Sequence, residues 1–294
     1  MMKKYIIILF ALATACFYSF PAVCAVTEVE FDTAQGSPIV YLGSSFIVPN
    51  IPETSNPESL IYIWPGVGPQ GACYFPINNG VLQPVLTYGT GCAQKEPKNK
   101  SQWWISGQYI NTEVNCKNVP SAFSTACPNY SANAHPLCQD VGNYMVVQPG
   151  QNLDTIIAYN AATQAWNQMI NGSSKQAYSI KLNYCSINNA PTAVITKQSQ
   201  EQNRAYLAIE TYHYDPSITQ VFNNIMLKAN VGNNPSATCS GTFTMAKSPN
   251  VQTSCAPMNL VSNQGGILTC EISSCTVYKP DSSIKVPHRP APVH

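Results

Sequence analysis

Apolar and polar side chains alternate along much of this chain, and proline or glycine interrupts the alternation every ten residues or so. In the stretch 205–212, Ala205, Leu207, Ile209 and Thr211 fall on one side of an extended strand. Tyr206, Ala208, Glu210 and Tyr212 fall on the other. The first set is the expected core side. The second sets one carboxylate between two tyrosines, on a face that is either wet surface or the lining of a cleft. The same reading predicts strands over 39–48, 60–64, 80–88, 102–111, 144–147, 152–160, 163–170, 176–182 and 193–196. Residues 220–230 fit either a short helix, with Phe222, Ile225 and Met226 at helical spacing, or a further strand. Turn residues 147–151 lead into the strand at 152, and Asn171-Gly172 signals a hairpin. Many short strands at regular spacing predict an all-β antiparallel sandwich or barrel.

Both ends depart from this pattern. The first 25 residues carry two lysines, an apolar run and the small-x-small sequence Val23-Cys24-Ala25. They are expected to be a signal peptide, with the mature chain starting at Val26. A lesser reading makes Leu12–Cys16 a lipoprotein box. The apolar run is too short for a membrane span, so export to a secreted or periplasmic location without a membrane anchor is expected. The sandwich is expected over 26–235, a cysteine-rich extension over 236–284, and a flexible proline-containing tail over 285–294.

Cysteine usage agrees with export. Of 12 cysteines, Cys16 and Cys24 leave with the signal and ten remain, an even number suited to disulfides. No C-x-x-C pair and only four histidines argue against zinc, and no metal or other cofactor is expected. Charged residues are 10% of the chain and net charge is +1, which gives no electrostatic basis for binding nucleic acid. An apolar share of 45% argues against general disorder. Residues 94–101 read as a charged loop, and 115–140 as a polar insertion holding three cysteines.

Several stretches resemble chemical motifs. Gly66-Val-Gly68-Pro-Gln-Gly71 spells the dinucleotide fingerprint, but Pro69 interrupts it and no helix is expected to follow, so a turn is the better account. His213 and Asp215 could converge on a metal, yet Asp215 precedes Pro216 and suits a turn. Trp103 and Trp104 should point oppositely, one ring into the core and one outward to stack on a ligand or cover a loop. Gln83 and Glu210 each place one long polar side chain in an apolar strand. If they share a groove, the carboxylate can activate water and the carboxamide can stabilise an oxyanion. No second acid partner for Glu210, as a glycoside hydrolase needs, emerges among the predicted strands.

These pieces, taken in order, resemble the glutamic peptidases, or eqolisins. Ile63-Trp64-Pro-Gly66-Val67-Gly68, Gly80-Val81-Leu82-Gln83, Gln102-Trp103-Trp104, Val147-Gln-Pro-Gly150-Gln and Ala205-Tyr-Leu-Ala-Ile209-Glu210 are similar to that family's segments over roughly 60–212. The resemblance implies a concanavalin A-like β-sandwich and a peptide or protein substrate. It also implies Gln83 as oxyanion stabiliser and Glu210 as general base, with Trp64, Trp103, Trp104, Tyr206 and Tyr212 flanking the groove. Pro84, Ile105 and Thr211 depart from the family pattern. The alternative is a non-catalytic sandwich of the same kind that binds sugar or peptide.

Overall fold

A computed structural model describes residues 24–34, 37–52, 60–69, 81–89, 96–110, 140–172, 175–180, 202–212, 217–247 and 252–279. The expected strand at 193–196, the insertion, the pair His213 and Asp215, and the tail lie outside them, Asp140 excepted. The strands are β1 (Cys24–Thr33), β2 (Ile39–Ile47), β3 (Leu60–Gly68), β4 (Val81–Tyr88), β5 (Trp103–Ile110), β6 (Asp140–Val141), β7 (Met145–Val146) and β8 (Asn152–Asn160). They continue with β9 (Ala165–Asn171), β10 (Lys175–Ile180), β11 (Arg204–Tyr212), β12 (Ile218–Asn230), β13 (Phe243–Lys247), β14 (Gln252–Cys255), β15 (Met258–Gln264) and β16 (Ile267–Lys279). One helical turn, α1 (Cys239–Thr242), precedes β13.

The strands form two antiparallel sheets. The first runs β13-β1-β11-β3-β4-β5-β6, with β7 also on β5; the second runs β10-β9-β8-β2-β12-β16-β14, with β15 also on β16. This is the expected all-β antiparallel sandwich. The inward side chains of both sheets, among them Val29, Phe31, Leu82, Leu86, Trp103, Ala205, Leu207 and Ile209 from the first and Leu42, Phe46, Leu153, Ile157, Phe222 and Leu227 from the second, make one core. Phe46 and Phe222 meet edge to face at 5.5 Å across neighbouring strands. Trp103 is fully buried in this core, so its expected role beside a ligand is corrected: its ring fills space between the sheets.

The C-terminal stretch is woven into both sheets. β12 is a strand, not a helix, and pairs along its length with β16. Its register against β2 shifts between Asn223 and Met226, where Asn224 adopts φ 52°. This bulge moves the inward set from Gln220 and Phe222 to Ile225, Leu227 and Ala229, which explains why the stretch shows helix-like spacing in sequence. β13 adds to the edge of the first sheet, and β14 and β15 to the second. Disulfides join Cys239 to Cys270 and Cys255 to Cys275. The other six cysteines of the expected mature chain lie outside the described residues.

Gly66 and Gly68 of the dinucleotide-like stretch stand inside β3, and Gly71 lies outside the described residues. A side chain at Gly66 would meet the Trp64 ring at 2.9 Å, so glycine is what lets that ring lie flat over the strand. Between Ile63↔Leu86 and Val67↔Leu82 the β3–β4 ladder is interrupted. Continuing its register sets Pro65 opposite Pro84, so the two residues lacking an N–H face one another in mid-sheet. The hairpin at Asn171 forms as expected, with Lys175 opposite Asn171, and the turn before β8 places Gly150 at φ 81°.

Removing the Trp103 ring should leave a large cavity. Trp103→Ala is expected to lose about 3–5 kcal/mol of unfolding free energy in a denaturant titration. A loss below about 1 kcal/mol would show that the ring is not a core element.

Candidate functional site

Strand parity sorts the outer side of the first sheet into a grid. On β11 the core takes Ala205, Leu207 and Ile209, leaving Tyr206, Ala208, Glu210 and Tyr212 outward, as the alternation predicts. On β1, Val29 and Phe31 go inward and Glu28, Glu30 and Asp32 outward. Registers then define rows across the strands. Val26, Glu210, Tyr62, Thr87 and Trp104 share one row, while Glu28, Ala208 and Trp64 share the next. Beyond lie Glu30, Tyr206 and Gly66, then Asp32, Arg204 and Gly68. Gln83 sits opposite Gln108, and Val85 opposite Ser106, on the same side of β4 and β5.

This face is neither wet surface nor plain core. Trp64, Val81, Val85, Tyr206 and Ala208 form a second apolar cluster on it, with Tyr62 packed alongside. Trp64 and Tyr206 rings are 5.8 Å apart, and Tyr62 and Tyr212 meet edge to face at 5.6 Å. Polar groups are interleaved: Glu28, Gln83, Thr87, Ser106, Gln108 and Glu210 are all buried. Tyr62, Glu30, Asp32 and Arg204 are partly exposed. Trp104 points to this side, as one of the tandem pair was expected to do, but it is fully buried, and its indole N–H donates to the Gly89 carbonyl at 3.1 Å.

Glu210 is tightly held. Trp64 Nε1 donates to its Oε2 at 3.1 Å, and the Tyr212 hydroxyl donates to its Oε1 at 2.9 Å. Burial pushes the carboxyl up to about 7, and those two donors restrain the rise by favouring the anion. Glu28 has no such donors. Burial, then the charges of Glu30 and Glu210, raise it to about 8, with Arg204 acting in the opposite direction. Its Oε2 is buried and meets no hydrogen-bond partner, while its carboxyl shares a hydrogen bond with Glu30. Glu30 is also raised, by burial first, with Arg204 opposing. Arg204 joins the outer carboxylates: Nε and Nη2 fork onto Asp32 at 2.5 and 2.7 Å, and Nη1 reaches Glu30 at 2.8 Å. Its guanidinium also lies 5.9 Å from the Tyr206 ring centre.

Gln83 and Glu210 therefore share a face but not a pocket. Gln83 lies four residues along β4 from Thr87, the residue in line with Glu210 across β3. That separates their backbones by roughly 13 Å along the strand and roughly 10 Å across it. A carboxamide and a base so placed cannot act on one carbonyl. The partner that sequence reading missed is Glu28, a diagonal neighbour of Glu210 on the adjoining strand. Its signal was present in Thr27-Glu28-Val29-Glu30-Phe31-Asp32, a strict alternation just after the expected cleavage point. Among the described residues no cluster of three or more His, Cys, Asp or Glu has metal-holding geometry.

No protein-family model matches the chain, and no curated protein matches it. Solved structures do show likeness. One is the basic winged bean lectin with Tn-antigen, at 12% identity and TM-score 0.25, covering 86% of this chain and 72% of that one. Another is the Emp47p carbohydrate recognition domain, at 7% identity and TM-score 0.29, covering 87% and 79%. Likeness at this level carries no functional argument. The expected membership of the glutamic peptidases is corrected: no family model supports it, and the implied dyad is split across the sheet. The peptidase and hydrolase readings fall with it.

The buried carboxyls give stability a pH dependence. Unfolded, Glu28 and Glu210 titrate near 4.5; folded, they hold their protons to about 8 and about 7. Between these limits the folded state binds more protons, so their contribution is full below about pH 4.5 and is lost as pH rises to about 8. Melting temperature measured from pH 4.5 to 8.5 is expected to fall, and Glu28→Gln to flatten the decline. A melting temperature that climbs over this range would contradict the assignment.

Proposed function

We propose that this is an exported, non-catalytic sugar-binding protein whose ligand face is the outer side of the first sheet. One observation carries the reading. On that face the partly exposed ring of Tyr62 stands beside the buried rings of Trp64 and Tyr206, among carboxyl, carboxamide and hydroxyl groups that include Glu210, Gln83 and Thr87. Sugar rings present apolar C–H patches edged by hydroxyls. A surface mixing aromatic rings with fixed hydrogen-bonding groups is complementary to both.

Catalysis is not part of the proposal. Glu210 is engaged by Trp64 and Tyr212, an arrangement that orients a carboxylate for recognition. Gln83 stands too far off to complete a hydrolytic pair with it. The secreted or periplasmic location rests on the N-terminal signal sequence, and an exposed glycan suits it as partner.

The test is a glycan array probed with the mature protein, followed by calorimetry on the best ligands. Binding of neutral glycans is expected, with no cleavage of a denatured protein at any pH. Tyr62→Ala, at a partly exposed position, should weaken affinity roughly tenfold, or 1.4 kcal/mol. Absence of any glycan binding at millimolar concentration would sink the reading.

A further inference from the structure

The strands that end each sheet pair on one side only among the described residues, and these edges differ in charge. β13 carries Lys247, β6 carries Asp140 and β10 starts at Lys175. Charges on an edge strand keep it from pairing with another chain. The fourth edge, where β14 and β15 lie along β16, has no such guard: residues 252–264 contain no Asp, Glu, Lys or Arg. β15 also holds apolar side chains in the open. Leu260 is 55% exposed and Val261 52%, the one adjacent pair among the exposed large apolar side chains of the described residues. Pro257 has no N–H to give and bounds this edge on the β14 side. Gly265 and Gly266, at φ 58° and 79°, turn the chain into β16 and bound it on the other. Within these limits the register against β16 shifts between Leu260 and Ser262. Such a bulge often bends an edge out of reach, but this one leaves two apolar side chains facing water.

We infer that β15 is a self-association edge, at which two copies of this chain pair their β15 strands antiparallel about a two-fold axis and join their second sheets into one. Charge selects a second copy as the occupant. In a two-fold pair the strand faces itself, so a net charge on it would meet the same charge on the partner, which is unfavourable. β15 has no charge to double. Glu271, opposite Asn259 on β16, would stand three strand spacings from its copy. That is roughly 14 Å, beyond the screening length of about 8 Å at physiological salt. Leu260 and Val261 supply the apolar contact that backbone pairing alone lacks, each being covered by the partner strand. The two-fold axis of an antiparallel pair runs perpendicular to the sheet, so both first sheets fall on the same side of the joined layer. Their outer faces then look the same way. On the sugar-binding reading this makes attachment to a glycan-covered surface bivalent; the pairing itself does not depend on that reading.

Sedimentation equilibrium of the mature protein over a range of concentrations tests the pairing, with amide hydrogen exchange to locate it. The parent is expected to dimerise with a dissociation constant below about 1 mM. Leu260→Lys and Val261→Lys place a charge on the edge at exposed positions, so each should weaken the dimer at least about tenfold. Their melting temperatures should stay within about 2 °C of the parent's, because neither side chain belongs to the core. Met245→Lys, equally exposed but on β13, should leave the dimer intact. In the parent, amides of 258–264 should gain protection as concentration rises, and in Val261→Lys they should not. A parent that stays monomeric at about 1 mM, or a dimer that survives both lysine substitutions in β15, would overturn the inference. Glycan binding by a single copy is measured separately on the array, so either outcome here leaves the sugar-binding reading where it stands.

Discussion

The Glu210 carboxylate, buried in the middle of a sheet, is the constraint around which the outer face is arranged. Burying an acid without partners is costly, and the chain meets that cost locally: an indole N–H from β3 and a phenol O–H two residues along β11 each take one oxygen. Those bonds fix the Trp64 ring, which lies flat because Gly66 has no side chain to hold it away. The flat ring in turn packs against Tyr206, and Tyr62 against Tyr212. One hydrogen-bonded carboxyl thus organises an aromatic cluster over two strands, β3 and β11.

The second consequence concerns neighbours. β1 brings Glu28 beside Glu210, and two carboxyls this close in a dry environment disfavour ionising together. Glu30, Asp32 and Arg204 form a partly exposed ion-pair group at one end of the face. Charge is therefore graded along β1, from compensated acids near Arg204 to the nearly uncompensated Glu28. This gradient belongs to recognition and pH response; the two-layer fold itself rests on the apolar core behind it. Separation of the two roles follows from period-two geometry, since each strand of the sheet gives alternate residues to the core and to the face.

Much of this was legible in sequence because period two is a short-range signal. The strands around Ile39, Val81, Trp103, Asn152 and Ala205 announce themselves by alternation, and the outward set on β11 was read correctly. The opposed tryptophans also followed from parity, although which ring faced inward did not. What alternation cannot supply is register. Gln83 and Glu210 have the right parity to share a face, and only the pairing of β3 with both neighbours reveals the roughly 13 Å offset along the strands. β1 was missed because it begins at the expected signal cleavage point. β12 was ambiguous because one bulge residue, Asn224, shifts its inward positions and imitates a helical period. The cysteine-rich end looked like an appendage because disulfide texture hides strand texture, yet β16 lies within the second sheet and pairs on both of its sides.

The claim that supports all else is that Glu28 and Glu210 are neighbouring, buried carboxyls on one face, with two donors restraining the rise at Glu210 and no such donors at Glu28. Side-chain carboxyl carbon shifts, followed by NMR from pH 3 to 9 with assignment through Glu28→Gln and Glu210→Gln, measure this directly. The account predicts that both titrate well above the usual glutamate range, Glu210 near 7 and Glu28 near 8, and that removing Glu210 lowers the midpoint of Glu28. Independent titration of both near 4.5 would contradict it.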